Sequence, residues 1–468
     1  PLFLGGLWKK IFDEKGVLRH DACSDAIYGI RQVCLWAKKP KELCSPRRIK
    51  KAIEGFRLTE KDLEKVTSNC TRNDPVLRGV SDILWSDIFH DINPESLICK
   101  HGPGATAERK SLNSRWEITD WYERSSGCFP IDLHGIVHAL DYQNLEKVRF
   151  HGVGSPELPV RVVMVPKTMK SPRVIAIEPS HVQYMQQGLL NYVVPRLERH
   201  IFTKKAVHFS DQSTNRARAR LASINSDRTT MDLSEASDRV HNELVKNIFR
   251  NSPLYEYLQQ CRSLTAVLPD SKTPLPLVKF ASMGSAMCFP VEAMVFYTVV
   301  QCAFHCYHKQ KPSARTIQMY SELIDVYGDD LVFPTYIAGA VELFLSYFGL
   351  KVNKDKTFSR GNFRESCGGD YFKGQDVSPV YLRVSSLKDQ LDRSDFTSLA
   401  SLVETSNQLY RKGLWKASQY LRDEIERDIR IKIPRCPYTG SGLFFHSYMF
   451  TTHAKWNRDL HTFQQKRI

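Results

Sequence analysis

Asp325-Val326-Tyr327-Gly328-Asp329-Asp330-Leu331-Val332-Phe333 is the stretch on which the fold turns. Apolar, β-favouring residues flank a glycine and two adjacent acids, which is the pattern of a β-hairpin. Leu323 to Tyr327 runs up, Gly328-Asp329 turns, and Leu331 to Phe333 returns. Asp329 and Asp330 then sit at or beside the tip. Adjacent carboxylates repel; a cation relieves the repulsion, and oxygen ligands suit Mg²⁺. A Gly-Asp-Asp by itself is more often an ordinary surface turn. The rest of the chain has to supply the partners.

Upstream, Val160 to Val165 and Val174 to Ile177 are β-rich runs around the basic loop Pro166-Lys167-Thr168-Met169-Lys170-Ser171-Pro172-Arg173. Lys167, Lys170 and Arg173 on one hairpin tip suit a triphosphate or a nucleic-acid backbone, or form a solvated basic turn. Thr229-Thr230-Met231-Asp232-Leu233-Ser234 reads as a short strand carrying an acid. A helix is expected after it, to about Phe249, with Asp238 in its first turn, where an acid also serves as a cap. Residues 252 to 278 read as irregular, with a β-ribbon near the end. Ala281-Ser282-Met283-Gly284-Ser285 is a small-residue loop opening a long apolar helix to about His308, and such a loop lets Ser282 and Gly284 approach a sugar-phosphate. Downstream, Ile337 to Phe348 reads as an amphipathic helix, Asn353 to Phe358 carries Lys356, and Arg364 to Phe372 reads as a hairpin.

Other segments are less telling. Residues 1 to about 95 read as largely helical. The Gly102-Pro103-Gly104 loop either approaches phosphate or simply turns. Residues 180 to 228 read as helix, then polar loop, with Arg216, Arg218 and Arg220 facing nucleic acid or solvent. Residues 380 to 468 read as mostly helical, with a basic tail dotted with aromatics that stack bases or fill a core.

Composition sets bounds. The 468 residues suffice for a large core and more than one subdomain, and 42% hydrophobic with 25% charged residues is ordinary for a globular chain. A formal charge of +15 favours a polyanionic partner, nucleic acid first. Twelve cysteines without a Cys-x-x-Cys pair argue against a zinc ribbon and fit reduced thiols. Cys302 to His308 has metal-type residues but sits in an apolar helical run, so core packing is expected. Lys9-Lys10 interrupt the apolar start, against a signal peptide, and Ala293 to Tyr307 falls short of a membrane span. The chain starts at Pro1, as a trimmed chain or a fragment would.

Taken in order, the chain offers a basic hairpin, a strand with Asp232, a glycine loop with a helix, the Asp-Asp hairpin and a helix with Lys356. Two strands deliver three acids able to share two metal ions, and cations for a triphosphate come from elsewhere. That is equipment for two-metal nucleotidyl transfer.

These residues carry a resemblance. Thr230 to Asp238, Met283-Gly284, Tyr327-Gly328-Asp329-Asp330, Lys356-Thr357-Phe358 and Arg364 to Gly368 resemble the replicase of single-stranded RNA bacteriophages, the Q beta type (leviviruses). So do Val165-Pro166-Lys167, Arg173 to Pro179, Ser210 to Ser213 and Gly102 to Ala105. The resemblance covers roughly residues 100 to 385. It implies an α+β right-hand polymerase with fingers, palm (an antiparallel sheet flanked by helices) and thumb. The expected division is 1–180 for the N-terminal region and fingers, with the hairpin at 160–178. The palm follows at 181–376, with a fingers insertion near 250–280 and a catalytic core at about 202–344. The thumb and C-terminal helices take 377–468.

By that resemblance, Asp232, Asp329 and Asp330 hold two Mg²⁺ ions, with Mn²⁺ as a substitute. Lys167, Lys170 and Arg173 grip the triphosphate, Ser282 and Gly284 approach the nucleotide, and Asp238 reads the ribose 2′-hydroxyl. Lys356 protonates the leaving pyrophosphate. The implied activity is RNA-directed RNA polymerase copying a phage genome in the bacterial cytoplasm. RNA and nucleoside triphosphates are the ligands, host elongation factors Tu and Ts and a ribosomal protein are partners, and no membrane is involved. The family's Met-Gly-Asn-Gly, with a Thr soon after, is replaced here by Ser285, Ala286, Cys288 and Pro290, which puts the detail of sugar and template recognition in question. A reverse transcriptase shares the paired acids, but Asp238 stands where a DNA-making enzyme blocks the 2′-hydroxyl. A catalytically inactive RNA-binding scaffold would not need the acids.

Overall fold

The computed structural model describes residues 3–40, 43–135, 145–168, 170–384, 396–437, 442–449 and 454–465. Its contacts divide the chain into two units. One comprises Lys50–Val165 and Val174–Asp376; the other comprises Pro1–Ile49, Pro166–Arg173 and Val377–Ile468.

The larger unit carries the acidic hairpin. In chain order its main elements are α1 (Pro46–Glu64, whose first residues belong to the other unit), α2 (Pro75–Ile88), β1 (Val160–Thr168), β2 (Ser171–Ile177), α3 (Ser180–Arg199), α4 (Ser213–Asn225), β3 (Arg228–Ser234), α5 (Asn242–Phe249), β4 (Thr265–Val267), β5 (Leu275–Pro276), α6 (Cys288–Tyr307), β6 (Asp325–Tyr327), β7 (Asp330–Pro334), α7 (Ala338–Tyr347), β8 (Lys351–Val352), β9 (Phe363–Ser366) and β10 (Gly369–Phe372). The chain is α+β, as expected. The central sheet runs β8-β3-β7-β6, antiparallel throughout. A second sheet, β2-β1-β4-β5, holds the basic hairpin and the ribbon foreseen before residue 278.

Local chemistry explains these elements. Asp74 caps α2, accepting from the Val76 and Leu77 N–H groups, and Pro75 opens the helix where its missing N–H costs nothing. Met231 and Leu233 alternate into the core from β3. Leu331, Val332 and Phe333 bury both faces of β7. Helix α6 is apolar on all sides, and such a helix has to be enclosed. Val291, Met294, Val295, Val299 and Val300 are fully buried in the main core. At 20 residues α6 is long and apolar enough to cross a membrane, contrary to the shorter run read from sequence, but 94% of its most apolar window is buried inside the fold. Pro290 is accommodated in its first turn. The Cys302–His308 segment is core only as far as His305, whose Nδ1 lies 2.8 Å from the Gln301 carbonyl and whose Nε2 lies 2.9 Å from Thr316 Oγ1; Cys306, Tyr307 and His308 are exposed.

Four further expectations change. Asp238 is not in the first turn of a helix but in a separate 3₁₀ turn, Ser237–Arg239. The chain straightens at Val240, whose carbonyl accepts from Phe280 N–H at 2.8 Å, and α5 starts afresh behind a His241 cap. The polar stretch before residue 228 is largely helix α4. Residues 252–278 include a helix, Leu254–Gln260.

The fourth change concerns the smaller unit. There the helices Ser24–Leu35, Phe396–Arg411 and Trp415–Ile429 are followed by short strands, not by more helix. Arg430 turns left-handed (φ 57°), and Pro434 and Pro437 oppose helix beyond it. Met169 in the basic loop and residues 385–395 of the expected thumb lie outside the described residues.

Candidate active site

Strands β3 and β7 pair so that Asp232 stands directly opposite Asp330. Directly opposed residues on antiparallel strands point to the same face. Tyr327 pairs with Asp330 across the hairpin, so Gly328 and Asp329 form the two-residue turn read from the sequence. Gly328 has φ +57°, and a Cβ there would come within 2.2 Å of the Phe289 ring. Phe289 projects from the first turn of α6 and meets Tyr327 edge-on at 5.3 Å. The turn that carries Asp329 therefore rests on an aromatic side chain.

The segment after α7 runs beside β3 and supplies the other groups. Asn353 N–H donates to the Asp232 carbonyl at 2.9 Å, and its Nδ2 donates to Asp232 Oδ2 at 2.7 Å. Lys356 Nζ lies 3.4 Å from Asp232 Oδ1 and 3.4 Å from Glu365 Oε1. It sits in a short 3₁₀ turn, Lys354–Lys356, rather than on a helix proper. Ser366 Oγ donates to Asp330 Oδ1 at 3.5 Å from the β9–β10 hairpin.

Electrostatics concentrate on Asp330. Burial, then the Asp329 carboxylate, pushes its carboxyl up to about 7; Asp232 adds to this, while the Cys367 N–H and Lys356 oppose it. Burial alone would lower Lys356, but Glu365, Asp232 and Asp330 outweigh it and hold the ammonium well above its usual range. Beneath them lies Glu292 of α6, buried and pushed well above the carboxylate range by burial, then by Asp329 and Asp238.

Asp238 is ion-paired with Lys279 at 2.8 Å. Ser282 is buried, and its hydroxyl has no hydrogen-bond partner among the described residues. Gly284 (φ +128°) passes so close to β2 that a Cβ would lie 2.1 Å from the Ala176 carbonyl oxygen, and Ala176 N–H donates to the Met283 carbonyl at 2.8 Å. Cys288 is buried, and burial, then Glu292, raises its thiol well above the usual range.

The structure thus gathers Asp232, Asp329, Asp330 and Lys356. Asp238, Ser282 and Gly284 belong to the same unit. Lys167, Lys170 and Arg173 are exposed on the outer part of the β1–β2 hairpin, within the smaller unit. Sequence reasoning missed Asn353, Glu365, Lys279 and Glu292. Asn353 stands three residues before Lys356, and Glu365 lies within the Arg364 to Gly368 segment that carries the resemblance; Lys279 and Glu292 gave no signal beyond their residue type. Arg216, Arg218 and Arg220 bind the protein itself. Arg216 donates to the Cys367 carbonyl at 2.8 Å, Arg220 to the Gly374 carbonyl at 2.7 Å, and Arg218 pairs with buried Asp325 at 3.2 Å.

Among the described residues no three His, Cys, Asp or Glu side chains form a ready metal cage. The donor chemistry nonetheless fits a hard divalent cation. Three carboxylates share one end of a strand pair, and hard oxygen donors of this kind suit such an ion.

A family model described as RNA replicase, beta-chain, matches residues 156–420. The chain is 31% identical over 264 residues to the RNA-directed RNA polymerase subunit beta of Qbeta virus (strain MX1), covering 56% of this chain and 40% of that one. It is 34% identical over 225 residues to the RNA-directed RNA polymerase beta chain of Enterobacteria phage fr, covering 47% and 37%. Against the beta chain of Escherichia phage MS2 the figures are 34% over 222 residues, 47% and 37%. The match therefore spans about two fifths of these relatives' own length. A solved RNA-dependent RNA polymerase of a human picobirnavirus aligns with TM-score 0.38 and 12% identity over 57% of this chain and 55% of that one.

Proposed function

This chain belongs to the RNA replicase beta-chain family, and from that premise we propose that it is an RNA-directed RNA polymerase replicating a single-stranded RNA phage genome. The observation that carries the proposal is the register of β3 and β7, which sets Asp232 opposite Asp330, with Asp329 in the adjoining turn. Asp232, Asp329 and Asp330 would hold two Mg²⁺ ions, with Asp329 and Asp232 as the direct ligands and Asp330 the weaker partner. When bound, such ions activate the attacking 3′-hydroxyl and neutralise charge on the triphosphate.

The protein's own groups do the rest. Asn353 fixes the Asp232 carboxylate through Oδ2. Lys356, kept charged by three acids, offers a fixed positive charge to the oxygens that gain negative charge as pyrophosphate leaves. It gives up its proton only when those acids are neutralised. Asp238 reads the ribose 2′-hydroxyl, and Lys167, Lys170 and Arg173 grip the triphosphate. Ser282 and Gly284 border the nucleotide. Fingers, palm and thumb correspond to 1–180, 181–376 and 377–468. RNA and nucleoside triphosphates are the ligands, elongation factors Tu and Ts and a ribosomal protein are the host partners, and the bacterial cytoplasm is the site of action.

The test is Mg²⁺-dependent extension of a primed RNA template by the purified chain. Asp329→Asn should retain RNA binding and lose about 10²- to 10³-fold in elongation rate. Near-wild-type extension by that variant would sink the ligand assignment. No incorporation by the wild-type chain on any RNA template would favour an inactive scaffold.

A further inference from the structure

Lys279 is fully buried, and its surroundings are specific. Its Nζ lies 2.8 Å from Asp238 Oδ1, 3.0 Å from Glu60 Oε1, and 3.5 Å from the centre of the Phe56 ring. Glu60 and Phe56 both project from α1. Glu60 is itself buried, and its other oxygen accepts the Val278 N–H at 2.7 Å. The Lys279 backbone is held as well: its carbonyl accepts from Arg262 Nη2 at 2.9 Å, and the neighbouring Phe280 N–H and Val278 carbonyl bond to Val240 and Asn242. Those are the residues just after the 3₁₀ turn that carries Asp238.

A buried ion pair of this kind is a poor device for stability, because desolvation consumes most of the attraction. It is a good device for fixing a side chain. Asp238 remains 21% exposed, so it is both anchored and reachable.

Resting on the polymerase function proposed above, we propose that Lys279, locked by Glu60 and Phe56, is the positioning residue for sugar selection. It fixes the Asp238 carboxylate so that an incoming nucleotide's 2′-hydroxyl can donate to it. Helix α1, from a region in which the sequence showed no chemistry, thereby takes part in choosing ribose over deoxyribose. Lys279 touches no substrate; it acts through Asp238.

The experiment compares kcat and KM for a ribonucleoside triphosphate and its 2′-deoxy counterpart on a primed RNA template. The proteins are the wild-type chain, Lys279→Met, Lys279→Met with Glu60→Gln, and Lys279→Arg. The double variant removes the uncompensated buried acid that could stop Lys279→Met from folding, and thermal unfolding checks both. The expected result is a fall of about tenfold or more in the ribo-to-deoxy ratio of kcat/KM in the Met variants. The loss should lie in the ribonucleotide's KM, with deoxyribonucleotide efficiency held within about threefold of wild type and Lys279→Arg recovering most of the ratio. A parallel loss for both substrates, with the ratio unchanged in a folded variant, would overturn the inference and leave Lys279 a structural residue. A wild-type chain that prefers deoxyribonucleotides, or incorporates neither, would instead overturn the polymerase function itself.

Discussion

Gly328 shows how one residue serves two constraints. Its positive φ disfavours any side chain, and the Phe289 ring occupies the space a Cβ would need. Gly328→Ala should cost about 1–3 kcal/mol, measured by urea unfolding. Because relief of the clash must move either the turn or Phe289, elongation should fall further than stability alone explains. An alanine variant with unchanged unfolding and unchanged kcat would show that Phe289 yields freely. Asp330 makes a complementary point. Its carboxyl is pushed up first by burial and then by the neighbouring Asp329 and Asp232 carboxylates. The repulsion foreseen from two adjacent acids is present, and Asp232, arriving from another strand, deepens it.

At the scale of elements, the strands and hairpins around the acids were legible because their signals are local. A glycine-acid turn between apolar runs fixes a two-residue hairpin, and β3 and the β9–β10 hairpin follow the same logic. The misses have a common cause. The break between Asp238 and α5 comes from Phe280, some forty residues on, bonding the Val240 carbonyl, and no local pattern announces a partner at that distance. Lys279 and Glu365 likewise gain meaning only from what lies across the fold. Arg364 belongs to this class. It is fully buried on β9, donating to the carbonyls of Arg228 at 2.8 Å, Gly361 at 2.8 Å and Phe363 at 2.7 Å. Arg364→Met would leave those carbonyls without their donor and should cost about 2–4 kcal/mol. It should also slow elongation, since the same hairpin delivers Ser366 to Asp330. Chemical denaturation beside an extension assay reads both, and a variant as stable as wild type would refute the assignment of Arg364 as the tie between β3 and β9.

For the whole molecule, pH is the informative variable. His181 is buried with neither ring nitrogen hydrogen-bonded among the described residues, and burial lowers it to about 3; burial, then Arg115, lowers His101 to about 4. Each therefore binds its proton more readily in the unfolded chain. Stability from these residues is complete above about pH 6.5 and is lost as pH falls toward 4 and 3. Asp330 and Glu292 act with the opposite sign, since their folded-state carboxyls are raised and stability is lost as pH rises. A difference measurement isolates the histidine. His181→Phe should flatten the acid limb by roughly 1.4 kcal/mol per pH unit below 6.5, read from denaturation midpoints. An unchanged limb would mean that His181 is protonated in the fold. Synthesis has its own timetable. Glu60 leaves the ribosome 219 residues before Lys279. At roughly 5–20 residues per second, α1 waits about 10 to 45 s for the cation that permits its burial. Until then the Glu60 carboxylate stays hydrated and its end of α1 cannot be buried, so a nascent chain cannot fix the Asp238 carboxylate before Lys279 has been made.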